Sequence, residues 1–166
     1  GLEAVARFEP SGTTFPFGVH FCQGSVDRDT GELTLERFLS VDDVGTVINP
    51  LTLKGQVHGG VAQGVGQALM ERVVYDPESG QLLSASFMDY CMPRADDLCA
   101  IEVGANPMPT PLNPLGAKGA GEAGTVGALP VVMSAVIDAL APLGVRSLDM
   151  PATRERVWQA VRDAQA

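Results

Sequence analysis

Five glycines fall inside one stretch that otherwise reads as a helix, "INPLTLKGQVHGGVAQGVGQALMER". Asn49 can cap its start and Pro50 suits the first helical position, so the spacing predicts a helix from about Pro50 to Arg72. Gly55, Gly59, Gly60, Gly64 and Gly66 lie within it. Each costs roughly 1 kcal/mol against alanine in a helix interior. A fold that keeps this helix must gain from the missing side chains, through close approach of another backbone or of a ligand. Gln56, Gly60, Gln63 and Gln67 follow an i, i+4, i+7, i+11 spacing and share one face. Three amides interleaved with glycine form a polar stripe suited to a ligand rich in donors and acceptors. A merely solvated face would have no use for so many glycines. His58 is a lone imidazole with no Cys, His or acid in ligand spacing, and a structural role outweighs metal binding.

Around this helix the chain reads as α+β. Residues 1–16 hold Gly, Pro, Ser and Thr clusters and predict an extended lead-in segment. Phe17 to Val26 predicts a strand, "DRDTG" a turn in which Gly31 takes positive φ, and Glu32 to Asp42 the partner strand of a hairpin. "VVYDPESGQLLSASFMDY" predicts a second hairpin turning at "DPESG", and Leu98 to Gly104 a short strand. Thr125 to Ala141 predicts an apolar helix, and Thr153 can cap a last helix that carries Val157 and Trp158. With 166 residues and 45% apolar content, the chain is long enough for one domain with a sizeable core. The expected fold is a mixed sheet with hairpins and packed helices.

Asn106 to Gly121 is rich in Pro and Gly with little periodicity, and long loops of this kind are often functional. It ends in "GAKGAGEAGT". Gly119 to Gly124 matches GxGxxG, but prolines precede it where a dinucleotide site needs a strand. Asp138 is the only acid in the helix that follows. A P-loop fails as well, because Lys118 is followed by Gly119 and not by Ser or Thr. What remains is a Gly-rich loop feeding a helix start, where unpaired N–H groups can hold an anionic or strongly polar group. Glu122 stands at that junction. It either caps the helix or is aimed at something, and the residues alone leave these two readings level.

Composition narrows the function classes. The formal net charge of −9 argues against a nucleic-acid or anionic-membrane surface. Cys22, Cys91 and Cys99 show no CxxC spacing, and their odd count argues against a disulfide framework. Reduced thiols fit a cytoplasmic setting. There is no metal-ligand set, no Cys pattern for an iron–sulfur cluster and no G-x-S-x-G elbow. The first residues lack the basic and apolar regions of a signal peptide. The apolar stretch Ala128 to Leu143 is expected to be too short for a membrane span. The missing initial Met suggests a piece of something longer.

"VDDVGTVINPLTLKGQVHGGVAQGVGQAL" and "NPLGAKGAGEAGTVGALPVVMSAVIDAL" together resemble the C-terminal part of the large, molybdenum-cofactor-binding subunit of the xanthine dehydrogenase/aldehyde oxidase family. "MDYCMPRADDL" and "VRSLDMPATRERVW" resemble further segments of that subunit, in the same order, from about Thr14 to Val161. Gly121-Glu122-Ala123-Gly124 is more similar to the aerobic carbon monoxide dehydrogenase branch than to the xanthine branch. The resemblance implies that residues 1–166 are the C-terminal portion of a molybdopterin-binding domain. It implies Glu122 as the catalytic general base of a hydroxylation that uses water-derived oxygen. Gln56 would hydrogen-bond the pterin, and Gly119, Ala120 and Gly121 would let the backbone pass close to it. The implied cofactor is molybdopterin with Mo, in its cytosine dinucleotide form. Iron–sulfur and FAD groups would sit on partner subunits or domains, and the upstream part of the same large subunit would complete the site. The Cys-bearing loop of the carbon monoxide enzymes is not in this sequence, so the resemblance does not select among CO, an aldehyde and an N-heterocycle. A different class of reading is a non-catalytic cofactor-binding or assembly module of the same fold.

Overall fold

The computed structural model describes residues 1–165. Strand β1 (Phe17–Val26) and strand β2 (Leu33–Asp43) form an antiparallel hairpin. The turn between them closes with Gly31 at φ 72°, as expected. Strand β3 (Ile101–Ala105) then pairs parallel to β2, so the sheet order is β1-β2-β3 and the sheet is mixed. β3 starts later than the sequence suggests. Ala95–Asp97 winds into a short 3-10 turn, and the Arg94 N–H donates to Asp97 at 2.8 Å.

Helix α1 (Pro50–Leu69) starts where the Asn-Pro pair places it. The Asn49 side chain accepts from the N–H groups of Leu51 and Thr52 at 3.0 and 3.2 Å. Helix α2 (Ala123–Leu140) lies across α1 and β1. Helix α3 (Arg154–Gln165) closes the chain, and the Thr153 hydroxyl accepts from the Arg156 N–H at 3.4 Å.

Two apolar clusters hold these elements together. The first unites Cys22, Phe38, Val57, Val61, Val65, Ala68, Ala128 and Val132 between the sheet, α1 and α2. The second unites Val136, Leu140, Val145, Ala152, Val157 and Val161 around α3, with Met133 and Leu69 touching both. The opposite face of β1 carries Phe17, Val19 and Phe21 in the open.

Two expectations need correction. The second hairpin is not there as a pair of strands. Tyr75 and Leu82 make an isolated antiparallel bridge around the turn at Asp76 to Gly80. Beyond it, Leu83, Phe87 and Met88 are exposed, and a two-stranded ribbon without a buried apolar face is marginal at best. The membrane expectation also rested on too short a segment. The helical run Ala123–Leu143 has 21 residues and is long and apolar enough, by length and composition, to cross a bilayer. Here it serves as a packing helix, with Ala128, Val132, Val136 and Leu140 buried in the two clusters.

Candidate functional site

The glycines of α1 divide by environment. A Cβ on Gly60 would lie 2.8 Å from the Thr125 nitrogen, and one on Gly64 would lie 2.5 Å from the Ala128 Cβ. From α2, a Cβ on Gly124 would lie 2.5 Å from the Val57 carbonyl oxygen. These three positions let the two helices approach backbone to backbone. The Thr125 hydroxyl then donates to the Gly60 carbonyl at 3.1 Å and lies 3.0 Å from the Gln63 side-chain oxygen. The polar stripe expected on α1 is therefore split. Gly60 is spent on packing, Gln63 meets Thr125, and Gln56 remains exposed near the start of the helix.

The Gly-rich loop is anchored just before it opens. Lys118 donates its N–H to the Val44 carbonyl at 2.9 Å, and its Nζ lies 2.5 Å from Asp43 Oδ2. The same ammonium stands 5.2 Å above the centre of the Phe17 ring. Asp43 also accepts from the N–H groups of Gly45 and Met108 at 2.8 and 2.9 Å. Lys118 first, then these two amides, hold the Asp43 carboxyl down to about 2. Asn113 braces the same loop by bonding both the carbonyl and the N–H of Ala117.

After that anchor the chain runs free. A Cβ on Gly119 or Gly121 would meet nothing within 4 Å. Among the described residues, the amides of Gly119, Ala120, Gly121 and Glu122 have no backbone acceptor. Glu122 occupies the cap position of α2, yet its side chain makes no capping hydrogen bond. Of the two readings the sequence leaves level, the capping one finds no hydrogen bond here.

Gly119, Ala120, Gly121 and Glu122 line a cavity of about 780 Å³. Its walls are largely apolar, with Phe15, Phe17, Val126, Pro130 and Val131, and its polar wall includes His20 and Asp42. Gln56 stands in an adjoining hollow of about 180 Å³ with Lys118, and Ala120 lines both spaces. The structure therefore brings four of the five expected residues into one cavity and puts the fifth next door.

Sequence reasoning missed His20 and Asp42. His20 Nε2 lies 3.1 Å from Asp42 Oδ1, both side chains are 5% exposed, and Ser40 donates to Asp42 Oδ2. Burial pushes the Asp42 carboxyl up, but the hydrogen bonds from His20 and Ser40 prevail and leave it below its ordinary value. An ionised carboxylate only accepts, so the His20 Nε2–H donates to it. The other ring nitrogen, Nδ1, is buried without a partner. Such an orphan costs on the order of 1–3 kcal/mol. The signal was present in the register. Gly18 pairs with Asp42 and His20 with Ser40, so a lone His in an apolar strand faces an acid one diagonal away. His58 has the same orphan character at Nε2 but lines none of these spaces. Burial first, then neighbouring Cys99, pushes the Cys22 thiol up to about 11, which keeps it protonated and inert.

Comparison with known proteins decides the family. A family model described as a molybdopterin cofactor-binding domain matches residues 1–99. The chain belongs to that family. It is 42% identical over 163 residues to the carbon monoxide dehydrogenase large chain of Hydrogenophaga pseudoflava, covering 98% of this chain and 20% of that one. It is 38% identical to the nicotine 6-hydroxylase large subunit of Paenarthrobacter nicotinovorans, covering 98% of this chain and 20% of that subunit. Among solved structures, CO dehydrogenase from Oligotropha carboxidovorans superposes with a TM-score of 0.90 at 39% identity, over 95% of this chain and 20% of that one. The chain thus spans about a fifth of the length of these relatives. Its α+β fold and mixed sheet match theirs, and the relatives are oxidoreductases of the xanthine dehydrogenase family.

Proposed function

We propose that this chain is the C-terminal portion of the molybdenum-cofactor-binding domain of a hydroxylase large subunit, and that Glu122 is its general base. The observation that carries the reading is the uncapped Glu122 carboxylate on the wall of a cavity of about 780 Å³. A helix that only needed a cap would have bonded that side chain to its own first turn.

The residues present fit a bulky group with polar edges. The open backbone of Gly119 and Gly121 admits close approach, the free amides of this loop can donate, and the exposed Gln56 amide stands beside the same loop. When bound, molybdopterin would supply a metal that acidifies water-derived oxygen and accepts the electrons of substrate oxidation. Glu122 would be the group that takes up the proton released in that chemistry. Gln56 would hydrogen-bond the pterin edge, and Gly119 to Gly121 would let it lie close to the backbone. Phe15, Phe17, Val126 and Pro130 give the cavity its apolar wall.

The cytosine dinucleotide form of the cofactor, and iron–sulfur and flavin partners that carry the electrons away, belong to the same proposal. So does an upstream part of the large subunit, for which the exposed row Phe17, Val19 and Phe21 offers an apolar seat. The substrate is a small molecule such as CO, an aldehyde or an N-heterocycle.

The test is Glu122→Gln in the full-length large chain. Glutamine keeps shape and hydrogen bonding but cannot take a proton. The variant should keep its molybdenum and lose at least about a hundredfold in single-turnover reduction by substrate, normalised to metal. Gln56→Ala should instead lower metal content, with a smaller loss per bound molybdenum. Wild-type reduction by Glu122→Gln would show that Glu122 is not the base, and that this portion holds the cofactor without supplying the catalytic residue.

A further inference from the structure

The His20 ring stands under the first turns of α2. A Cβ on Gly127, five residues after Glu122, would collide with His20 Nδ1, Cε1 and Cγ, so the absence of that side chain is what admits the ring. On the other side Asp42 holds Nε2, and Gly18 leaves room for the Asp42 carboxylate. Phe38 meets the ring edge-on, 5.7 Å between centres. Gly18, Asp42, Ser40 and Gly127, on three elements, are thus committed to one imidazole. A leucine in its place would fill the site without a buried carboxylate or an orphan nitrogen. Departures from good packing that gather at one spot point to function, and this spot is the wall of the cavity that Glu122 lines.

We infer that His20 is a positioning residue for Glu122. The ring anchored by Asp42 is the stop against which the start of α2 rests. It fixes how far the helix sits from β1, and so where the Glu122 carboxylate points and how the Gly119 to Gly121 loop lies over the cavity. His20 acts through α2 and not on any reacting group. The inference rests on the reading of Glu122 as base.

The test uses the holoenzyme, with the full-length large chain and its partner subunits. Three variants separate the roles of the ring nitrogens. His20→Ala removes both. His20→Gln keeps an N–H near the place of Nε2, and His20→Asn keeps a polar atom near the place of Nδ1 but cannot reach Asp42. The readouts are molybdenum per large chain, kcat and KM per bound molybdenum, and amide hydrogen exchange over residues 119–127. His20→Ala should lower kcat per molybdenum by about tenfold or more, with KM moving less than about twofold, because a misaimed base is felt in the transition state. Exchange over 119–127 should quicken. His20→Gln should recover most of the loss and His20→Asn little. Gly127→Ala pushes the same turn from the other side and should reproduce both changes, which keeps the inference testable if His20→Ala does not accumulate. A His20→Ala enzyme with a lower melting temperature and unchanged kcat per molybdenum would overturn it. So would rescue by asparagine and not glutamine, since Nδ1 would then act on the cavity's occupant directly. If Glu122→Gln turns over normally while His20→Ala still quickens exchange at 119–127, the base assignment falls and the positioning of the turn stands.

Discussion

The glycines between α1 and α2 and those of the loop at Gly119 to Gly121 are the same residue in opposite circumstances. Gly60, Gly64 and Gly124 are fully enclosed, and a single added carbon would strike the backbone or Cβ of the facing helix. Gly119 and Gly121 face open space, without positive φ to explain them. The first set is explained inside the chain, by the close approach it permits. The second set has no internal explanation, and that is why it reads as a surface made for a ligand. A glycine's role is therefore decided by what its missing side chain would have met.

The comparison breaks most readily at the helix crossing. Gly124→Val should cost about 3 kcal/mol or more, because the obstruction is the Val57 carbonyl oxygen and not a flexible side chain. Gly64→Ala meets the Ala128 Cβ and should cost about 1–3 kcal/mol. Thermal denaturation of the two variants against the parent checks both. If Gly124→Val melts with the wild type, the crossing is looser than described and the contrast with the loop loses its first half.

Much of this fold was legible in the sequence where a local rule acts alone. The Asn49-Pro50 pair fixed the start of α1, and Gly31 with its acidic neighbours fixed the turn of the first hairpin. The bounds of β1 followed from those punctuation marks. The rest needed contacts between distant segments. Nothing local says that β3 joins β2 in parallel. Nothing local says that Gly60 and Gly64 are buried while Gly55 and Gly59 are open. The stretch after Gly80 keeps only the bridge of Leu82 to Tyr75, and its Leu83, Phe87 and Met88 stay exposed. At the site, the Glu122 junction was visible as glycine around one acid, and whether it capped the helix was not. His20 was passed over because a lone imidazole in a strand carries no motif. Only the register with β2 sets it against Asp42.

A smaller effect tests the anchor between the two regions. Lys118 fastens the loop to Asp43 just ahead of Gly119. Asp43 in the folded chain titrates at about 2, below its ordinary 3.8. Its contribution is therefore fully present above the ordinary value and is lost as pH falls from about 3.8 towards 2. In acid titrations followed by circular dichroism, Asp43→Asn should flatten that part of the stability profile and leave the region above pH 5 parallel to wild type. Lys118→Met should act in the same direction, since it removes the principal cause of the shift. An unchanged acid limb in Asp43→Asn would mean that the loop is held by Asn113 and the backbone bridge at Gly45 and Ala117 instead.

The smallest expected effect on stability sharpens the comparison furthest. Gly119→Ala and Gly121→Ala add one methyl group each where nothing stands within 4 Å and where φ is not positive. A glycine replaced under those conditions reduces the freedom of the unfolded chain, so each variant should melt at or slightly above the wild-type temperature, a gain of about 0.4–1 kcal/mol at most. The same methyl groups project into the space assigned to the cofactor. In the full-length large chain they should lower molybdenum content at assembly while the fold is unharmed. Gly64→Ala should do the opposite, losing stability before it loses metal. Two glycine substitutions of equal size would then separate into one read by the melting curve and one read by metal analysis. Full metal content in Gly119→Ala and Gly121→Ala would show that open space beside a glycine is not the mark of a cradle, and the loop's assignment would have to rest on Glu122 alone.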